Sequence, residues 1–302
     1  MSKPRTAVIG LGSMGMGMAR SLRRAGFPVV GTDISDARCA MFADDGGEIA
    51  PSAREAAMGA DIVVSVVITG GQTETLLFGP HGLAATLHSD AVFVSCATMP
   101  AGQARDLGKR AADAGFGFLD APISGGARGA ENAALTVMSS GPRAAFDAAR
   151  PALDAMGKRI FWMGEAPGLG SAMKTVNQLL AGVNLATACE AIAFAIRLGL
   201  DPRQVDEIIS GSAGNSWMWG DRISALVQGD MTPRSAVDIF TKDLGIVLDT
   251  ARASNFPAPM AAAGLQGFLM AAARGWGRDA DSSVARVYAE LAGLTLPQAA
   301  ND

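Results

Sequence analysis

The chain has 302 residues, enough for about two domains with full cores. Its 49% hydrophobic and 18% charged content is that of a globular protein and excludes a disordered, collagen-like or coiled-coil chain. The 25 Lys and Arg against 29 Asp and Glu give a net charge of -4 with no dense basic run, so nucleic acid and anionic membranes are excluded as partners and a small-molecule ligand is expected.

The N-terminal stretch is too short for a signal peptide's apolar region and enters a first strand over 6–9 at once. Further strands are expected over 28–32, 61–67, 91–95, 116–119, 135–139 and 160–163, alternating with Ala-rich helical stretches. The helices carry their own punctuation. The stretch 14–25 stops at Gly26, Ser52 and Glu55 form a capping pair, and 100–114 stops at Gly115. This βα alternation predicts an α/β, Rossmann-type doubly wound parallel sheet over 1–164. Beyond 163 no strand-like run appears, so 165–302 is expected to be an all-α domain. A helix over 171–198, roughly 40 Å long, would join the two. Its apolar part, 179–200, contains Asn184, Glu190 and Arg197 and reads as a buried helix rather than a membrane span. Asp201 followed by Pro202 starts the next helix, and others are expected over 235–253, 258–273 and 282–292. Cys39, Cys96 and Cys189 have no CxxC spacing, which suits a reducing cytoplasm and offers neither a disulfide framework nor a thiolate metal site.

Three motifs carry chemistry. Gly10-Leu11-Gly12-Ser13-Met14-Gly15 follows a strand and opens a helix, the context in which glycines permit a tight turn and close approach of a pyrophosphate to backbone amides. Asp33, 18 residues after Gly15, is placed to bond the adenosine ribose, and its charge repels a 2′-phosphate. No arginine stands immediately beside it, so NAD is the expected cofactor. Helix capping is the other reading of Asp33, although Ser35 suits that position equally well. His81 and His88 fall in the connection between the strands at 61–67 and 91–95 and read as surface residues with no metal spacing. Lys174, after the glycine-rich run 168–170, is the better proton carrier. The i, i+3 spacing puts Lys174 and Asn177 on one face of the joining helix. Ser124, Gly125 and Gly126 follow a strand end, where a hydroxyl and two amides can grip a carboxylate.

Together these motifs, with Phe240-Thr-Lys242-Asp243-Leu-Gly245, make the chain resemble the β-hydroxyacid dehydrogenases, the group containing 3-hydroxyisobutyrate dehydrogenase, tartronate semialdehyde reductase and 6-phosphogluconate dehydrogenase. The resemblance covers nearly the whole chain. It implies hydride transfer between a small hydroxy acid and NAD, with Lys174 as general acid/base and Ser124, Gly125, Gly126 and Asn177 at the substrate. It also implies Thr98 near the nicotinamide ribose and Lys242 within reach of the cofactor, where a surface helix residue is the alternative for Lys242. The loop Val67-Ile68, with Gln72 four residues on, departs from the Leu-Pro and Asn of many relatives. Within the family, Gly214-Asn215-Ser216-Trp217 resembles members that oxidise C2 of a four-carbon sugar acid, and Asn215 and Ser216 add hydrogen-bonding capacity for a polyhydroxylated substrate. Trp217 and Trp219 also suit plain helix packing. The resemblance leaves a reductase acting on tartronate semialdehyde and a nucleotide-binding sensor as alternatives, and it implies a homo-oligomer.

Overall fold

The computed structural model describes residues 3–298 and divides the chain into two compact units between Lys174 and Thr175. The first unit is built on a six-stranded, wholly parallel sheet of order β3-β2-β1-β4-β5-β6, made of β1 (Thr6–Ile9), β2 (Val29–Thr32), β3 (Glu48–Ile49), β4 (Ile62–Ser65), β5 (Val92–Ser95) and β6 (Gly117–Asp120). Helices α1 (Gly15–Arg24), α2 (Asp36–Asp44), α3 (Ala53–Ala57), α4 (Gly70–Phe78) and α5 (Ala101–Asp113) connect these strands.

Strands buried on both faces need apolar residues at successive positions, and these have them. Val8, Ile62, Val64, Val92 and Val94 enter one core, with Leu22 and Phe146, while Ala7, Ile9, Val63 and Phe93 enter the other, with Leu77 and Leu107. The strand order reverses beside β1, which pairs with β2 on one side and β4 on the other. Ligands of open α/β sheets bind at the carboxyl ends of the strands at such a switch point.

Two features depart from the expected single sheet. A second, three-stranded sheet is formed by β7 (Ile123–Ser124), β8 (Leu135–Ser139) and β9 (Gly157–Trp162), with β7 antiparallel to β8. Thus the runs expected at 135–139 and 160–163 are strands, but of this separate sheet. Strands β3 and β7 have two residues each, too short for a periodic signal. Helices α6 (Gly126–Glu131) and α7 (Arg143–Met156) complete the unit before α8 (Leu169–Arg197), whose first turns belong to it.

The second unit is helical: the rest of α8, then α9 (Pro202–Ser210), a π-helical turn Trp219–Ile223, α10 (Ser224–Leu226), α11 (Val237–Ala253), α12 (Pro259–Ala273) and α13 (Val284–Ala292). No strand follows β9 among the described residues, apart from an isolated bridge between Ala236 and Ala280. The expected cap is present, since the Asp201 side chain accepts the Arg203 amide with Pro202 at the first helical position. Leu185, Cys189, Ile192, Leu244 and Phe268 are fully buried in this unit's core. By length and composition α8 is apolar enough to cross a membrane, and in this protein its middle turns supply that core.

Candidate active site

Sheet register brings the first unit's motifs to one edge. Thr32, Ile9, Ser65, Ser95 and Asp120 form a single row across β2, β1, β4, β5 and β6, and the next residue in each segment begins a loop at the carboxyl end. The glycine loop leaves β1, Asp33 leaves β2, Val67 and Ile68 follow β4, Thr98 follows β5, and the Asp120–Ser124 segment follows β6.

The glycine loop has the form of a nucleotide cradle. Gly10 has φ +93, and a Cβ there would lie 2.7 Å from the Val66 carbonyl oxygen. A Cβ on Gly15 would fall 1.8 Å from the Gly10 oxygen, so any side chain would open the turn. At Gly12 the nearest atom to an added Cβ is Nη1 of Arg38 at 3.5 Å, the far end of a flexible side chain, which leaves this backbone approachable by a ligand. Ser13 is exposed, Met14 is half-buried, and no side chain caps the N-terminus of α1. These residues fit a dinucleotide's pyrophosphate.

Asp33 is tied into this loop. Its Oδ2 accepts the Leu11 amide at 2.6 Å and its Oδ1 accepts the Ser35 amide at 2.9 Å. The N-cap position of α2 is Ser35 rather than Asp33, and the Ser35 side chain makes no capping hydrogen bond. Arginine is absent from the immediate run but present in space: Arg38, in the first turn of α2, brings Nη1 to 3.7 Å from Oδ2 of Asp33.

At the β4 loop, Gln72 has a structural task. Its Oε1 accepts the Ile68 and Thr69 amides, and Thr69 caps α4 in a reciprocal capping box. Ile68 stays 53% exposed beside this closed turn. Thr98 is half-buried in the loop after β5.

Lys174 is buried, and its Nζ donates to the Ile123 carbonyl at 2.7 Å, immediately before Ser124. Ser124 ends β7, Gly125 with φ +130 occupies the N-cap of α6, and Gly126 with φ +65 follows. Thus the proton-carrying candidate and the carboxylate-gripping candidates share one strand end. The close approach also requires a glycine in α8, because a Cβ on Gly170 would lie 2.2 Å from the Met138 oxygen and 2.7 Å from that of Asp120.

Asp120 holds this arrangement, a role its place in the motif did not reveal. Its fully buried carboxylate accepts the Ser171 hydroxyl at 2.6 Å, the Ser171 amide at 2.8 Å, the Gly168 amide at 2.9 Å and the Ser140 hydroxyl at 3.3 Å. Burial pushes this carboxyl above the usual carboxylate range, and the four donors pull against that rise. Two of them are amides at the start of α8, where a negative charge is also favoured by the helix dipole. Beside it, burial first and the Asp120 charge second push the Cys96 thiol up to about 12.

In the second unit the candidates are joined by side chains. Asn177 Nδ2 donates to Gln178 Oε1 at 2.9 Å, Gln178 Nε2 donates to Asp243 Oδ2, and Lys242 Nζ pairs with Asp243 Oδ1 at 2.6 Å. Gln178 and Asp243 are buried, so the chain from Asn177 to Lys242 runs through two polar residues that were not singled out as candidates. Their buried polarity is the available signal, and it emerges only once α8 and α11 are folded. Asn215 and Ser216 lie apart from this chain, in the loop after α9. Asn215 Nδ2 donates to the Ser210 carbonyl at 2.8 Å, and Ser216 Oγ accepts the Trp219 amide at 3.0 Å. Trp219 is buried, while Trp217 is 57% exposed. His81 and His88 are both exposed, with His88 3.9 Å from Asp61.

Comparison with known proteins covers almost the whole chain. Residues 5–164 match the family model described as the NAD binding domain of 6-phosphogluconate dehydrogenase, and residues 168–288 match that described as NAD-binding of NADP-dependent 3-hydroxyisobutyrate dehydrogenase. The chain is 46% identical over 290 residues to an L-threonate dehydrogenase of Cupriavidus necator, covering 96% of this chain and 97% of that one. It is 39% identical over 299 residues to the L-threonate dehydrogenase of Escherichia coli strain K12, covering 99% and 98%. Among solved structures, a 3-hydroxyisobutyrate dehydrogenase from Salmonella typhimurium is similar with a TM-score of 0.90 and 40% identity, covering 94% of this chain and 100% of that one.

Proposed function

This chain belongs to the β-hydroxyacid dehydrogenase family, as an NAD-dependent oxidoreductase of hydroxy acids, and on that premise we propose that its substrate is L-threonate, oxidised at C2 to 2-dehydro-L-erythronate. The observation that carries the chemistry is the buried Lys174 amine held at the Ile123–Ser124 strand end. In our reading Gly10, Leu11, Gly12, Ser13, Met14 and Gly15 hold the pyrophosphate, Asp33 faces the adenosine ribose, and Val67, Ile68, Thr98 and Lys242 complete the cofactor's contacts. When bound, NAD supplies the acceptor for the hydrogen and electron pair that leave the carbinol carbon. Ser124 with the Gly125 and Gly126 amides grips the substrate carboxylate, which fixes the hydroxyl relative to Lys174. Asn177 orients that hydroxyl, and Lys174 takes its proton during oxidation and returns it during reduction.

Support for a four-carbon sugar acid comes from the L-threonate dehydrogenases among the relatives and from Asn215 and Ser216. Beyond their local bonds, these two residues offer an amide oxygen and a hydroxyl proton to the C3 and C4 hydroxyls. The similar Salmonella structure favours 3-hydroxyisobutyrate as the second reading. A panel of hydroxy acids followed by NADH absorbance tests both. We expect kcat/KM for L-threonate to exceed that for 3-hydroxyisobutyrate at least ~10-fold, the worth of one well-paired polar contact. A preference for 3-hydroxyisobutyrate or glycerate removes the sugar-acid assignment and leaves the family chemistry.

We assign 1–164 to the cofactor-binding domain and 165–302 to the helical domain, in a cytoplasmic homo-oligomer. Val176, Leu180 and Phe194 of α8, with Leu198 just beyond its end, are exposed and form an apolar stripe that a second copy would cover. Light scattering on Leu180→Glu, expected to shift the assembly toward monomer, checks the oligomer.

A further inference from the structure

A pocket of about 300 Å³ opens beside α5 in the first unit, and none of the candidate active-site residues lines it. Its floor is apolar, formed by Phe116 just before β6, Phe118 within β6 and Gly108 of α5, with Pro167 as a side wall. Gly108 makes room for that wall, since a Cβ there would lie 2.6 Å from Pro167 Cγ. Two exposed cations, Arg105 and Lys109, complete the lining one helical turn apart on α5. Their neighbour Arg110 is held by Glu74 at 2.6 Å and lies 4.0 Å over the Phe78 ring. No carboxylate pairs with Arg105 or Lys109 among the described residues, and Asp106 and Asp113 of the same helix do not line the pocket.

Exposed cations alone hold an anion weakly, and an apolar hollow alone does not choose the sign of its ligand. Together they select a molecule with an apolar body and one negative end. The volume lies at the small end of ligand pockets, which limits the body to a single ring or a short branched chain. We propose that this pocket is an effector site for a small carboxylate of that kind. Its side wall leads to the seat of Lys174. Pro167 is followed by Gly168, whose amide donates to the Asp120 carboxylate at 2.9 Å, and that carboxylate also accepts the Ser171 amide at the start of α8. On its other side Gly168 lies against α5, where a Cβ would stand 2.6 Å from the Ala101 oxygen and 3.0 Å from Arg105 Cγ. A ligand seated against Pro167 therefore bears on the segment that positions Lys174, and it changes proton transfer rather than nucleotide binding. This coupling rests on Lys174 being the proton carrier.

The test uses 4-fluorophenylacetate and its neutral amide, with binding read by fluorine NMR and the thermal midpoint of each protein confirming folding. We expect the wild type to bind the carboxylate with a Kd on the order of 1 mM and the amide about 10-fold more weakly. The double variant Arg105→Gln, Lys109→Gln should weaken the carboxylate about 10-fold, to the level of the amide. Ala112→Phe, placed on the exposed lining of α5, should fill the pocket and abolish binding of both. With saturating carboxylate, kcat for hydroxy-acid oxidation should change at least ~2-fold in the wild type and not in Ala112→Phe, while KM for NAD stays constant. Equal binding of carboxylate and amide, an unchanged Kd in either variant, or a kcat that does not respond each overturns the proposal. The binding arms need no turnover, so they decide the site even if the hydroxy-acid reading fails.

Discussion

The two units hold their candidate residues by different means. In the first, position is set by backbone: one row of strand ends, glycines that admit no side chain, and a buried carboxylate that gathers amides and hydroxyls from Gly168, Ser171 and Ser140. In the second, Asn177 reaches Lys242 through side chains alone, and Asn215 and Ser216 sit in a loop with only local bonds. Backbone-built sites resist substitution because each part is fixed by long-range pairing. Side-chain chains and loops exchange single residues at low cost, which suits the part of an enzyme that distinguishes one hydroxy acid from another.

Substitutions can break this contrast, starting with the largest effect. Lys174→Ala should leave NAD binding near the wild-type level and cut kcat about 10²-fold or more, the range of general acid/base catalysis. Lys174→Arg should do no better, since a guanidinium does not give up its proton at working pH. Turnover near wild type in either variant would take Lys174 out of the mechanism.

In the second unit, Arg222 in the π-helical turn pairs with the fully buried Asp281 at 2.8 Å and also with Asp221. Arg222→Ala strands that carboxylate and should cost about 3–5 kcal/mol in urea unfolding, more than any loop change in the same unit. Burial already pushes the Asp281 carboxyl up, against the pull of Arg222. Without that pull its folded pKa rises further above the unfolded value. Part of the lost stability should therefore be present below about pH 4, where the unfolded carboxyl is also protonated, and disappear as pH rises through the folded value. A pH-independent deficit would contradict this account.

Asp120→Asn sharpens the comparison from the other side. The amide has the same outline but offers one acceptor where the carboxylate has two, so at least one buried donor from Ser171, Gly168 or Ser140 loses its partner. A stability loss of about 1–3 kcal/mol is expected, with kcat falling alongside because the same segment seats Lys174. Unchanged stability would show that water or rearrangement satisfies these groups.

The smallest effect belongs to the loop. Asn215→Ala should lower kcat/KM for L-threonate about 10-fold, the worth of one paired polar contact, with little change in stability or in activity on a shorter hydroxy acid. Equal losses on both substrates would separate Asn215 from substrate choice.

Local pattern made much of this protein legible before folding. Apolar runs bounded by glycine located β1, β2, β4 and β5 to within a residue or two, Asp201-Pro202 announced α9, and the spacing of Lys174 and Asn177 put them on one helical face. Each is written in a few adjacent residues, where steric and hydrogen-bonding preferences act directly. Partners distant in the chain are not written there. Asp120 and Ser171 stand 51 residues apart, Gln178 and Asp243 65, and nothing local announces either bond. The antiparallel β7, two residues long, exists only because Leu135–Ser139 offers it a partner, and that pairing removes β8 and β9 from the main sheet. Arg38 shows the same limit at short range: five positions beyond Asp33 it reads as any helix-surface arginine, until the start of α2 turns it back over the carboxylate. By itself the sequence determined the longer strands and the main helices, the glycine turn and the family chemistry. Only the tertiary structure decided which strands pair, which buried polar groups meet and which charge faces the glycine loop, because those depend on long-range closure that no local propensity encodes.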